Sequence, residues 1–88
     1  MVSVVLHIKG HCIETAAKRK YNELVNALIK EDDAGKEEQL NVLLNFLKNA
    51  DFKKLRKMGY DGSKELFVRV FEDGSVEEVL NESGNSLR

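Results

Sequence analysis

The chain has 88 residues, of which 42% are hydrophobic and 33% charged, and its 14 Lys and Arg against 15 Asp and Glu leave a formal net charge of −1. That length fits one domain with a single modest core, burying roughly 60–65% of the unfolded surface, and charges that nearly cancel give no global pull towards nucleic acid or an anionic membrane. Cys12 is the only cysteine, which excludes an intramolecular disulfide, no signal-peptide pattern opens the chain, and no run approaches the ~20 apolar residues of a membrane span; the expected setting is soluble and cytoplasmic.

Val2 to Lys9 reads as a first strand. Val2, Val4, Leu6 and Ile8 alternate onto one face, with Ser3, Val5, His7 and Lys9 on the other. Gly10 ends it. A helix is expected over about 12–31, with an apolar stripe of Ile13, Ala17, Tyr21, Leu24 and Leu28, widened by Val25 and Ile29. Glu31-Asp32-Asp33-Ala34-Gly35 breaks that periodicity, and Asp32 or Asp33 suits the cap of a second helix running to about Ala50. Its stripe reads Leu40, Leu43, Leu44 and Leu47, widened by Phe46. Val42 lies nearly opposite, so this helix should touch neighbours on two sides. Asp51 suits the cap of a short third helix from Phe52 to Met58, and Gly59 stands where a left-handed C-terminal residue is wanted. Tyr60-Asp61-Gly62-Ser63 reads as a turn.

Two β-type runs then flank Asp73-Gly74, the strongest short-range hairpin signal in the chain. A two-residue turn there pairs Glu72 with Ser75, Phe71 with Val76, Arg69 with Glu78 and Val68 with Val79. That register places Leu66, Val68, Val70 and Val79 on one face and Phe67, Phe71, Val76 and Leu80 on the other. Strand 66–71 is apolar on both faces and is expected at the centre of the sheet, whereas Glu77 and Glu78 suit strand 76–80 to a protected edge. The expected fold is α+β in the order β-α-α-α-β-β. A small sheet of about three strands, the N-terminal strand beside strand 66–71 of the C-terminal hairpin, packs against three helices. Residues 1–88 form a single domain, with 81–88 a frayed polar tail.

Two acidic clusters are the main candidates for chemistry. Glu31, Asp32 and Asp33 form the first, with Glu37 and Glu38 a turn further on; Glu72, Asp73 and Glu77 form the second, with Ser75, Glu78 and Glu82 nearby. Hard cations such as Ca²⁺ take six to eight oxygen ligands, and carboxylates close together on a loop can converge on one ion. The simpler account of the first cluster is helix capping and attraction to the helix dipole; that of the second is a hairpin turn beside a soluble edge strand. Asp73-Gly74-Ser75-Val76-Glu77 places oxygen at alternate positions but lacks the glycine and glutamate spacing of an EF-hand loop.

Basic runs at Lys18-Arg19-Lys20 and Lys53 to Lys57 offer phosphate contacts, as in RNA binding, or simply solvated helix faces with pairs such as Glu14–Lys18. Gly10-His11-Cys12 stands between a strand and a helix start, where helix amides would stabilise a thiolate. Yet three ligand types in six residues do not make a closed zinc site, and the residue six after Cys12 is Lys18 where a phosphatase loop has Arg. Cys12 reads as a small buried hydrophobe. No grouping supports an enzyme.

The length and the acidic stretches Glu31-Asp32-Asp33 and Glu72-Asp73-Gly74-Ser75-Val76-Glu77-Glu78 resemble a family of small, uncharacterised α+β proteins of thermophilic methanogens to which calcium binding is ascribed. The Lys- and Glu-rich composition, with Gln39 the only glutamine, also leans towards a thermophile, though seven Asn residues lean the other way. The resemblance implies Ca²⁺ on acidic loops and no enzymatic activity. The leading expectation is therefore a monomeric, non-enzymatic domain binding Ca²⁺ or a similar divalent cation through Glu31, Asp32, Asp33, Glu72, Asp73 and Glu77. The alternatives are an RNA accessory using the basic runs and a protein-interaction module, dimerising through the hairpin edge or taking an unidentified partner.

Overall fold

The structure is a computed structural model and describes residues 3–81. In chain order the elements are β1 (Val4–Ile8), α1 (Ile13–Lys30), α2 (Ala34–Asn49), α3 (Phe52–Lys57), β2 (Leu66–Val70) and β3 (Val76–Val79). The strands form one antiparallel sheet in the order β1-β2-β3, so β2 is central. This is the α+β arrangement the periodicities predict. The expected frayed tail falls, apart from Asn81, outside the described residues, as does Val2 of the first strand. Among the described residues no helix is long and apolar enough to cross a membrane.

The apolar face of β1, Val4, Leu6 and Ile8, lies in register with Val70, Val68 and Leu66 of β2. Leu6, Ile8, Val68 and Val70 are all buried, joined in one cluster by Ile13, Ala17 and Leu24 of α1 and by Val42, Leu43 and Phe46 of α2. Full burial of a side chain of this size contributes about 1.5–3 kcal/mol. Phe46 also meets Phe52 of α3 edge to face, with ring centroids 5.6 Å apart. The helices therefore cover a single face of the sheet.

Two details of the helical stripes differ from expectation. Ile29 is 77% exposed and Leu44 is 44% exposed, whereas Val42 is fully buried. The buried arc of α2 is centred on Val42, Leu43 and Phe46 because this helix packs against α1 on one flank and against β1 and β2 on another. Contact on two flanks swings the arc towards Val42 and leaves Leu44 on the solvent side.

The hairpin register also differs, by one residue. The observed pairs are Val70 with Val76, Arg69 with Glu77, Val68 with Glu78 and Phe67 with Val79. The Gly74 amide donates to the Phe71 carbonyl and the Phe71 amide to the Ser75 carbonyl, each at 3.1 Å. Gly74 has φ +90°. These mark a three-residue loop, a type I turn followed by a left-handed bulge glycine, in place of the two-residue turn. Asp73 stabilises it by accepting the Ser75 amide at 2.9 Å. The tip also rests on α2: a Cβ at Gly74 would lie 2.7 Å from the Asn49 backbone. The expected pairs Glu72–Ser75, Phe71–Val76, Arg69–Glu78 and Val68–Val79 therefore do not form. Val76 joins the inner face with Val68 and Val70, Val79 moves to the outer face beside Phe67, and Leu80 is 60% exposed beyond the strand.

Candidate functional site

Each residue of the first acidic cluster has a local place in the chain. Glu31 is the C-cap of α1, its amide bonded to the Ala27 carbonyl. Asp33 caps α2, with Oδ1 accepting the amides of Gly35 at 2.9 Å and Lys36 at 3.2 Å. Asp32, Glu37 and Glu38 are exposed.

In the second cluster, Asn45 donates to the Glu72 carboxylate at 3.3 Å and Asn49 to the Glu72 carbonyl at 2.9 Å. Glu77 accepts from Arg69 across the strands at 3.5 Å. The Ser75 hydroxyl and then its amide hold the Asp73 carboxyl below the usual aspartate value, and Ser63 does the same for Asp61. Asp51, beside the hairpin tip, caps α3 through the Lys54 amide at 3.1 Å.

The two clusters do not meet. Asp33 begins α2, while Asn45 and Asn49 hold Glu72 at its far end, roughly 18–24 Å along the helix axis at 1.5 Å per residue. Among the described residues no three His, Cys, Asp or Glu side chains form a group suited to one metal ion.

The two basic runs, by contrast, are brought together. Glu14 accepts from Lys18 at 3.2 Å and from Arg56 of α3 at 3.4 Å, so one carboxylate bridges them. Cys12, expected as a buried hydrophobe, is only part-buried, because it stands at the N-cap of α1 with Sγ 3.6 Å from the Thr15 hydroxyl. The Thr15 amide, then its hydroxyl, lower the thiol pKa against the opposing effect of burial.

A feature with no local signature in the sequence lies along β1, an edge of the sheet. In a strand, the N–H and C=O of one residue point to the same side, and successive residues alternate. Phe71 directs its amide to Ser75, beyond β3, so Phe67 and Arg69 face β3 and Leu66, Val68 and Val70 face β1. Their partners Ile8, Leu6 and Val4 face β2 in return, which leaves the backbone groups of Val5 and His7 aimed outward from the sheet. Among the described residues this edge is open, and it borders a groove of about 470 Å³. Val5, Leu6 and His7 form one wall; Ala16, Arg19, Lys20 and Glu23 of α1 form the other, and His11 stands at the loop end. A second depression shares Lys20 and Glu23 and continues past Lys30 to Lys36.

His7 is fixed on the outer face. Its ring stacks on Phe67 with centroids 4.5 Å apart, and Nε2 lies 2.8 Å from Glu65, whose same oxygen is 3.6 Å from Lys9. The His7 hydrogen bond, then the Lys9 charge, hold the Glu65 carboxyl below its usual value. Lys20 has a 3.9 Å contact with Glu23, and Arg19 has no ion pair among the described residues.

Comparison with known proteins adds kinship. The chain is similar to an uncharacterised protein of Archaeoglobus fulgidus, at 53% identity over 85 residues that cover 89% of this chain and all of that protein. No solved structure matches. A protein-family model matches residues 2–82, from the first strand to the end of the hairpin. The chain belongs to the family which that model describes, and the Archaeoglobus fulgidus protein is its relative.

Proposed function

We propose that this chain is a small, non-enzymatic protein-interaction domain that receives an extended segment of a partner along the open edge of β1. The observation that carries this reading is the pair of residues Val5 and His7, whose backbone groups, among the described residues, face a groove and no further strand. An unpaired edge is a template for an additional strand, with main-chain hydrogen bonds giving affinity and alternate side chains giving selectivity. A displayed library of random eight-residue peptides tests it. Enriched peptides should shift the amide signals of Val5 and His7 and lose binding when alternate peptide nitrogens are methylated. Enrichment of no such peptide removes the reading.

Divalent-cation binding through the acidic loops is the second reading. It is supported by Asp33 and Asp73, each of which commits Oδ1 to turn hydrogen bonds and has no partner at Oδ2 among the described residues. An ion at either loop would draw on that loop alone and complete its shell with water, so two weak, independent sites are expected. Calcium chloride and magnesium chloride titrations at fixed ionic strength decide it. Saturable, calcium-selective shifts confined to residues 31–38 or 72–78 support the reading; equal, non-saturating shifts with both salts remove it.

A further inference from the structure

We infer that the segment received at β1 is acidic, with carboxylates that meet the cationic rim of α1. This rests on the strand-addition reading above and adds the chemistry of the partner. The groove beside β1 sets Arg19 and Lys20 against the single carboxylate of Glu23, and the depression that continues it adds Lys30 and Lys36, next to the acidic loop 31–33. The chain as a whole carries −1, so this strip is a local departure from the average. Arg19 and Lys20 border the flank of β1 that an added strand would occupy, and Lys30 and Lys36 lie in the depression that continues it.

The pleat sorts the partner's side chains. Residues of an added strand opposite Val5 and His7 project onto the outer face of the sheet, and the residue opposite Leu6 projects inward, towards α1. There the opposing surface is Ala16, a methyl-sized side chain, flanked by Arg19 and Lys20. A small or apolar residue fits over Ala16, and an acidic residue two positions away, roughly 6.6 Å along the strand, projects from the same face as the cations. A second copy of this chain is a poorer occupant. Pairing β1 with β1 about a two-fold axis would bring two identical basic rims together, and like charges across an interface cost affinity.

Three fluorescent eight-residue peptides supply the probes; each has Thr at every second position and, on the other face, Val alternating with Glu, Ser or Lys, so that an apolar residue and the test residue stand two positions apart on one face. At low salt the Glu peptide should bind about five- to tenfold tighter than the Ser peptide, the gain expected of about two exposed ion pairs. The preference should shrink as salt screens them. The double substitution Arg19→Glu with Lys20→Glu should invert it in favour of the Lys peptide; Arg19→Gln with Lys30→Gln, a milder change on exposed positions, should reduce it. Equal binding of the Glu and Ser peptides, with shifts at Val5 and His7, overturns the acidic selection while leaving strand addition intact. Failure of all three peptides to shift those amides overturns both. Displacement of the Glu peptide by single-stranded RNA, with salt-sensitive RNA binding to the same rim, overturns the inference in favour of a nucleic-acid surface. Concentration-dependent dimer formation that protects Val5 and His7 overturns it in favour of self-pairing.

Discussion

Asp33 and Asp51 show how far single residues can be read from their neighbours. Each is a short acceptor immediately before an apolar repeat, and each bonds amides at the start of the following helix. Asp33→Ala should lower stability by about 1 kcal/mol in urea unfolding, with Asp33→Asn retaining most of it. His7 shows the opposite case. Its partner Glu65 is 58 residues away, and no local spacing announces the pair. Asp73 gives a pH test. Its carboxyl is held below the usual value by Ser75, so its folded pKa lies below its unfolded one. The stabilisation it supplies is then present above the unfolded value, about 3.9, and is lost as pH falls through the folded value. In Ser75→Ala the Asp73 carboxyl resonance should titrate with a midpoint raised towards 3.9; an unmoved midpoint would assign the shift to something other than Ser75.

At the level of elements, periodicity identified all six segments, and their ends shifted by only a residue or two. The hairpin register was legible only in part. Asp-Gly serves a two-residue turn and the bulged three-residue loop equally well. What selects the longer loop lies elsewhere in the chain: the tip sits against the Asn49 and Ala50 backbone, and Asn49 bonds the Glu72 carbonyl. Gly74→Ala should therefore destabilise by more than about 1 kcal/mol in thermal or urea unfolding, because a Cβ meets backbone at 2.7 Å and φ is +90°. Gly62, with φ +91° and the His11 backbone 2.6 Å from its would-be Cβ, is constrained for the same reason where β1 leads into α1. In the stripe of α2, Leu43, Phe46, Leu40 and Leu47 meet the core as expected and Val42 serves the second contact; Leu44 alone departs, for a related cause. Leucine content marks Leu44 as core, but the position of β1 and β2 beside the helix decides in favour of Val42.

On the scale of the whole molecule, the sequence shows that a three-stranded sheet must have two edges, and it is the strand order that puts β1 at one of them. The candidate groove could not be read from any motif, since it is assembled from non-adjacent turns of α1 and a strand whose outward groups are fixed by pairing on the far side of β2. Amide exchange checks that geometry directly. Val4, Leu6 and Ile8 should exchange slowly and Val5 and His7 rapidly, an alternation within five residues of one strand. Uniform protection along β1 would contradict the assigned backbone orientation. The basic runs tell a similar story of assembly: Glu14 joins Lys18 to Arg56, which stand 38 positions apart in the chain.

The antiparallel pairing of the first strand with the fifth element also sets an order of events in time. Ile8 pairs with Leu66, 58 residues later, and Val4 with Val70, 66 later. At ribosomal rates of about 5–20 residues per second, β1 emerges some 3–13 s before its partner. Closing so long a loop costs entropy that is recovered only when the sheet forms. During that interval α1 and α2 can pair locally, while Val4, Leu6 and Ile8 wait as an exposed apolar row. The nascent chain thus carries the same unpaired edge as the finished one, with a second edge and a bare face besides, until the hairpin arrives to cover them.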